Sequence, residues 1–218
     1  MRSRLICLVF VQFAFFFSLS TQLFALSEQA QEDLATLKKI PANYLTFGTV
    51  CEEVAKMRYE KEYSQEQYDV LGGIEYRDRN RVLGELDVVV FERSSNEAIL
   101  IAEVKCWDDP EKALDKAKEQ LNRFEQAVSG RKIRDMYLTD GEQKHFEVGQ
   151  FDQQLRTDTV TYDGAESAGF DRSIGLSMDD VKELRQELLK CQASGKCPSP
   201  RNAGGQRPQW LDSGIVEE

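Results

Sequence analysis

The sequence predicts an α/β fold, a mixed β-sheet flanked by helices, on three observations. Apolar residues recur at helical spacing over 46–63, 110–129 and 177–190, while 82–92, 98–106 and 133–138 are short β-branched runs of strand character. The chain has 218 residues, the size of one domain with tails. Hydrophobic residues make up 41% and charged residues 30%, which supports a packed core and argues against wholesale disorder. The balance is acidic, with 28 Lys+Arg against 38 Asp+Glu and a net charge of −10. That excludes a protein that coats nucleic acid or anionic membrane through bulk charge, and leaves room only for a local basic track. No long internal period recurs, so a solenoid or propeller is excluded as well.

Residues 1–26 read as a leader. Arg2 and Arg4 form a basic start, 5–17 is apolar apart from Gln12, and a polar stretch then leads to Leu23, Phe24 and Ala25. This is the order of a secretory signal peptide cut after Ala25, implying a secreted or periplasmic protein with no membrane attachment once the leader is removed. The alternative is a membrane anchor, because 5–26 as a helix spans about 33 Å. Five polar residues within that stretch weigh against the anchor. Cleavage removes two arginines and leaves a net charge of −12. It also leaves Cys51, Cys106, Cys191 and Cys197, an even set that suggests disulfides in an exported chain. Cys191 and Cys197 flank a short Gln-Ala-Ser-Gly-Lys segment and are able to close a small loop. Cys51 and Cys106 are then either the second pair or buried free thiols.

The mature chain divides into a helical extension over 27–45, a domain over 46–193 and a tail over 194–218. The extension carries a solvated helix over 27–39, ending before Pro41. Over 46–63, Phe47, Val50, Cys51, Val54, Met57 and Arg58 share one side of a helix. Residues 70–76 read as a strand with a bulge at Gly72-Gly73, and Asp78, Arg79 and Asn80 as a turn. Second and third strands follow over 82–92 and 98–106. Asp109 and Pro110 open a helix as N-cap and first-turn proline, and Gly130 closes it. Its buried stripe is Ala113, Ala117, Leu121, Phe124 and Val128. Strands are expected over 133–138 and 159–162, with a weaker one over 145–151. Ser177 caps the last helix, with Asp180 at its positive end and Met178, Val181, Leu184 and Leu188 inward. From 194 onward Pro, Gly, Gln and Arg dominate, the composition of a disordered tail.

The chemistry concentrates on the second and third strands. Side chains alternate along a strand, so Glu85, Asp87, Val89 and Phe91 share one face, and Ile99, Ile101, Glu103 and Lys105 share another. A three-residue loop, Ser94-Ser95-Asn96, closed by Arg93 opposite Glu97, sets Asp87 opposite Glu103 and Glu85 opposite Lys105. Opposed residues face the same way with Cβ atoms about 5 Å apart. Two carboxylates so placed repel each other, and apolar neighbours raise the cost. A divalent cation together with Lys105 offsets that repulsion. Mg²⁺ (or Mn²⁺) suits it, taking oxygen ligands and keeping waters that a phosphate can replace. Lys105 is then placed to orient an attacking water or to stabilise charge on phosphoryl oxygens.

Gly84-Glu85-Leu86-Asp87-Val88-Val89-Val90, a short turn, and Ile99-Leu100-Ile101-Ala102-Glu103-Val104-Lys105 together resemble the signature of the PD-(D/E)xK nuclease superfamily. The chain is most similar there to the Holliday-junction-resolvase-like and predicted-endonuclease branches, over residues 46–138. The resemblance implies a restriction-endonuclease-like αβββαβ core and a metal-dependent nuclease. Asp87 and Glu103 would hold the metal, and Lys105 would be the catalytic lysine. The first helix of the family carries a further acid in a G-x-x-x-E pattern, which Gly48 and Glu52 match; periodicity puts Glu53 nearer the apolar edge. Gln120 matches a glutamine that related nucleases place on the following helix, though an ordinary helix-surface glutamine fits equally. Leu86 stands where the family's name has proline. Related junction-cutting enzymes act as homodimers, which the resemblance extends to this chain.

The partner so implied is nucleic acid, DNA ahead of RNA. Arg77, Arg79 and Arg81 at the first hairpin, with Lys112, Lys116, Lys118 and Arg123 on the later helix, are candidate phosphate contacts; interspersed acids give the alternative of solvated charge. His145 is the only histidine, so a multi-histidine zinc site is excluded and a His-based triad is not available beyond that one residue, which reads as a plain surface or strand-end histidine. No C-x-x-C pair, Walker A loop or G-x-G-x-x-G occurs. Tyr59, Tyr63, Tyr68 and Tyr76 read as core or surface aromatics. The competing function is a catalytically silent nuclease-fold module that grips a protein partner, motivated by the acidic mature charge.

Overall fold

Strong β-formers and close cross-strand pairing build the centre of the molecule, and helices cover both of its faces. The computed structural model describes residues 26–139, 144–151 and 155–200. The leader expected over 1–25 and the tail beyond 200 lie outside the described residues. In chain order the elements are α1 (Glu28–Leu37), α2 (Phe47–Glu62), β1 (Tyr68–Asp78), β2 (Arg81–Glu92), β3 (Glu97–Val104), α3 (Pro110–Ser129), β4 (Asp135–Leu138), β5 (Arg156–Thr161), β6 (Arg172–Ser173) and α4 (Met178–Ala193). The strands form one sheet in the order β4-β1-β2-β3-β5-β6. Pairs β4–β1, β1–β2 and β2–β3 are antiparallel, whereas β3–β5 and β5–β6 are parallel. The expected α/β class with a mixed sheet is what the chain adopts.

Two cores sandwich this sheet. Val88, Val90, Leu100, Ala102 and Val104 point to one side, against Val50, Val54 and Met57 of α2 and Val181, Leu184 and Leu188 of α4. Ala30 and Leu37 of α1 join that core, so the N-terminal helix is packed as well as capped by Ser27. Its Asp33, almost fully buried, pairs with Arg58 of α2. On the other side Val89, Phe91 and Ile101 meet Leu121, Phe124 and Ala127 of α3. Among the described residues no helix is long and apolar enough to cross a membrane.

The caps are those that the sequence announces. Asp109 accepts from the Lys112 backbone N–H at the start of α3, with proline next. Ser177 and Asp180 form a reciprocal capping box on α4, and Asp180 also accepts from the Ser27 backbone N–H. Along α3 the buried stripe ends on Ala127, with Val128 only half-buried.

Four local expectations are corrected. The β2–β3 loop has four residues, because Glu92 and not Arg93 faces Glu97. A bulge between Val90 and Phe91 then absorbs one residue of β3, and the ladder returns to the expected register at Val90↔Leu100. The bulge expected at Gly72-Gly73 is a missing pair, Gly73 with Asp87, that leaves the register unchanged, and the register shift itself falls at Tyr76/Arg77. Residues 145–151 form no strand: His145 makes one isolated bridge to Tyr137, and 148–151 is a 3₁₀ turn. Residues 194–200, which composition assigns to the tail, are held against the domain. There Cys197 is buried and bonded to Cys191, and the Gln192 side-chain amide donates to the carbonyls of Ala42 and Pro198. The other cysteines also pair, Cys51 with Cys106, so the free-thiol alternative for them is set aside.

Candidate active site

Asp87 owes its position to a defect shared by two strands. Gly72↔Val88 and Ile74↔Leu86 are paired in one register, yet the pair between them, Gly73 with Asp87, is missing. Gly73 has φ +69°, a conformation that a side chain rarely adopts, and a Cβ there would lie 2.6 Å from Thr139 Oγ1. Both strands exchange faces across this point. Val88 belongs to the α2 side and Leu86, an even number of residues away, to the α3 side; Val70 and Ile74 differ likewise. Here the β2–β3 ladder stops, with Val88↔Ala102 its last pair. The Asp87 carboxylate takes over the next backbone donor, accepting from Val104 N–H at 2.8 Å. The acid thus sits in a split between two strands, within reach of both sides of the sheet.

Into that split come the other charged groups. Lys105 Nζ donates to Asp87 Oδ2 at 2.8 Å, to Glu103 Oε2 at 3.2 Å and to the Val104 carbonyl at 3.0 Å. Glu103 is 0% exposed, and its Oε1 is buried without a hydrogen-bond partner. Burial, then the Asp87 charge, holds the Glu103 carboxyl well above the usual range, against the opposing pull of Lys105. Lys105 itself is raised: Asp87 and Glu103 together outweigh its burial.

Glu52 arrives from α2. Its carboxyl folds back over Gly48, where a Cβ would stand 3.0 Å from Glu52 Oε1. The four-residue spacing of glycine and acid therefore has a steric reason. Burial, then Asp87, pushes the Glu52 pKa up to about 8, with Lys105 opposing and Glu85 and Glu53 adding to the rise. Glu53 also faces Tyr44, whose pKa is raised by its own burial and then by the Glu53 charge. Glu85 stands at the exposed lip, accepting from Thr139 Oγ1 at 3.3 Å, and partial burial and Asp87 raise it too. Asp87, Glu103, Lys105, Glu52 and Glu85 thus share one site.

The remaining candidates stand apart. Gln120 is half-buried on α3, and no hydrogen bond joins it to the acids among the described residues. Arg77 is committed, paired with Glu75 and lying 4.9 Å over the Tyr137 ring. Arg79, in the turn with φ 56°, and Arg81 are exposed; Arg81 is 3.9 Å from Asp78. Six residues of extended strand place Arg81 about 20 Å from Asp87. On α3, Lys112, Lys116 and Arg123 are taken up by Asp109 and Glu119.

Sequence reading passed over two participants and one exposed residue that follows Lys105 in the chain. Tyr76 is buried with its hydroxyl over Gly84, where a Cβ would come within 2.3 Å of it. Burial, then Glu103, pushes its pKa up to about 12. Thr139 bridges Glu85 and the Gly73 carbonyl. Trp107, two residues beyond Lys105, is 44% exposed. The exposure was not legible in the sequence, although the position next to Lys105 was.

Among the described residues no group of three His, Cys, Asp or Glu is arranged to hold a metal ion. In the structure Lys105 supplies the positive charge between Asp87 and Glu103. The donor set nonetheless fits a hard cation: carboxylate oxygens dominate, acid outnumbers base, and one buried oxygen of Glu103 is unsatisfied. Comparison with known protein families, with curated proteins and with solved structures finds no match to this chain.

Proposed function

We propose that the chain is an exported, metal-dependent nuclease that hydrolyses phosphodiester bonds in DNA or, second to it, RNA. One observation carries this reading. Asp87, Glu103 and Lys105 meet at the split of a buried hairpin, with Glu52 beside them and more acid than the one lysine neutralises. A sheet has no structural need for that arrangement, which costs stability. The resemblance to the PD-(D/E)xK superfamily gives the same three residues a common purpose.

Asp87 and Glu103, with Glu52 as a third acid, would hold Mg²⁺ or Mn²⁺. When bound, the ion offsets the acidic surplus and polarises the scissile phosphate. Hydrolysis forms a bond from a water oxygen to phosphorus, breaks one P–O ester bond, and returns a proton to the leaving oxygen. Lys105, released from one of its carboxylates, stabilises charge on the phosphoryl oxygens. The two disulfides support export, since such bonds persist in oxidising compartments.

A second reading rests on the same lysine. With Nζ at 2.8 and 3.2 Å from the two acids, the centre is partly neutralised without a metal, as suits a silent module that binds a protein. One experiment separates them. The chain without residues 1–25 is incubated with mixed DNA and RNA in Mg²⁺ or Mn²⁺, against EDTA, Asp87→Ala and Lys105→Ala. Metal-dependent cleavage lost in both variants supports the nuclease. A folded protein that neither cleaves nor binds Mn²⁺ overturns it.

A further inference from the structure

Trp107 stands two residues beyond Lys105 on backbone that is fixed from both directions. Lys105 N–H still donates to the Val160 carbonyl at 2.9 Å, and Thr161 Oγ1 donates to the Lys105 carbonyl at 2.9 Å, so the β3–β5 pairing runs on past the end of β3. Val104 and Cys106 both point into the core on the α2 side. Alternation therefore turns Lys105 and Trp107 the other way, with their backbones about 7 Å apart. Cys106 is 2% exposed and bonded to Cys51, and Asp109 begins the capped α3 two residues on. A side chain on such backbone is presented, not left on a mobile loop.

Its exposure is selective. Val82 and Trp107 are the only large hydrophobic residues exposed among those described, where the other aromatics are buried, as Tyr44, Tyr59 and Tyr76 are, or half-buried, as Phe47, Tyr63 and Tyr68 are. An indole holds more apolar surface than any other side chain, and leaving it 44% open forgoes a large burial gain. The two acids that follow it in the chain are already matched. Asp108 pairs with Lys182 at 3.2 Å and Asp109 with Lys112 at 2.7 Å. Lys182 and Lys112 are thus already engaged by the two acids that follow the indole in the chain. In a chain of net charge −10, a nucleic acid held there needs a contact that does not depend on charge. Stacking supplies one, because every base has a π-face and an aromatic platform accepts any of them.

We propose that Trp107 is a nucleobase-stacking platform of this site, so that its substrates present an unpaired base there: single strands or single-stranded flaps in preference to continuous duplex. This rests on the nuclease reading and names its substrate class. Inside a paired duplex both faces of each base are covered, and only the terminal pairs leave a face open to the indole.

The test reads binding separately from cleavage. Trp210 is the only other tryptophan, so a Trp210→Phe chain reports Trp107 emission alone. It is titrated in EDTA with a single-stranded oligodeoxynucleotide and with the duplex of the same length. The expected result is quenching by the single strand and little by the duplex. Anisotropy of a labelled single strand should show Trp107→Ala weakening binding about 10-fold or more, while Trp107→Phe, which keeps an aromatic face, retains most of it. Circular dichroism of both variants confirms the fold. Equal quenching by duplex, or unchanged binding by Trp107→Ala, overturns the proposal. Cleavage in Mn²⁺ is followed in parallel. Cleavage without quenching removes the stacking platform and leaves the nuclease standing; neither removes both. Quenching without cleavage keeps the platform and removes the nuclease reading.

Discussion

Glu52 is the residue on which proton and fold are most tightly linked. Its pKa rises from 4.5 to about 8 on folding, so the folded chain keeps a proton that the unfolded chain releases. A raised carboxyl contributes stability that is fully present below about pH 4.5 and is lost as pH climbs through about 8. Glu103 is shifted the same way. At about 1.4 kcal/mol per pKa unit, urea unfolding in EDTA should show a loss of about 3–5 kcal/mol between pH 5 and pH 9. Glu52→Gln should flatten much of that slope, and an unchanged slope would mean that Glu52 is solvated. Lys105→Ala tests the same centre from the cation's side. Glu103 at 0% exposure and Asp87 would lose their common partner, at a cost of about 3–5 kcal/mol in a denaturant melt at pH 8. Adding Asp87→Asn to that variant should recover part of the loss, because the carboxylate that Lys105 paired with is gone. Glu103 and Lys105 were legible from strand alternation, whereas Asp87 reaches them through the split at Gly73, which alternation does not show. Tyr76 over Gly84 was not, because a close approach between neighbouring strands leaves no mark in either segment.

At the scale of elements, the Cys51–Cys106 bond joins α2 to the end of β3, and each cysteine adjoins a residue of the centre, Glu52 or Lys105. It closes 55 residues, against 6 for Cys191–Cys197. By loop-closure entropy the first is worth about 4 kcal/mol and the second about 2 kcal/mol. Cys51→Ala/Cys106→Ala should therefore lower the melting temperature more than Cys191→Ala/Cys197→Ala. It alone should also weaken Mn²⁺ binding, since α2 is then free to draw Glu52 away. Equal Mn²⁺ affinity in the two double variants would show that the helix is placed by packing alone. The helices were the easiest elements to read, because caps such as Asp109 and Ser177 act within a single turn. The central hairpin was harder. Its loop is one residue longer than expected, and the register came out as foreseen only because the bulge beside Val90 absorbs the difference. Residues 145–151 misled because an alternating pattern was joined to the sheet by one bridge instead of a ladder.

Charge decides how the whole molecule can meet a polyanion. The net charge is −10, and most basic side chains near the candidate surface are already paired: Arg77 with Glu75, Lys116 and Arg123 with Glu119, Lys112 with Asp109. Exposed Arg79 and the loosely paired Arg81, with Lys105 once substrate is in place, leave about three phosphate contacts. Each contact adds about 0.7 to the magnitude of the salt slope for a single strand and about 0.9 for duplex. Binding measured in EDTA should therefore weaken only about 15- to 60-fold between 50 and 200 mM salt, far less than the thousandfold or greater loss of a protein that neutralises 6–10 phosphates. Arg79→Ala/Arg81→Ala should lower the slope by about 1.5 and leave the Trp107 quenching amplitude unchanged, because stacking and counterion release are separate terms. A steep slope in the full chain that falls to the shallow value on removal of residues 201–218, which contain Arg201 and Arg207, would move the electrostatic contact to that segment. A steep slope that survives the truncation would mean that ion pairs such as Lys116–Glu119 open on binding and give their cations to the substrate. The acidic composition would then describe the free protein only, and the double variant Lys116→Ala/Arg123→Ala would be the one to flatten the slope.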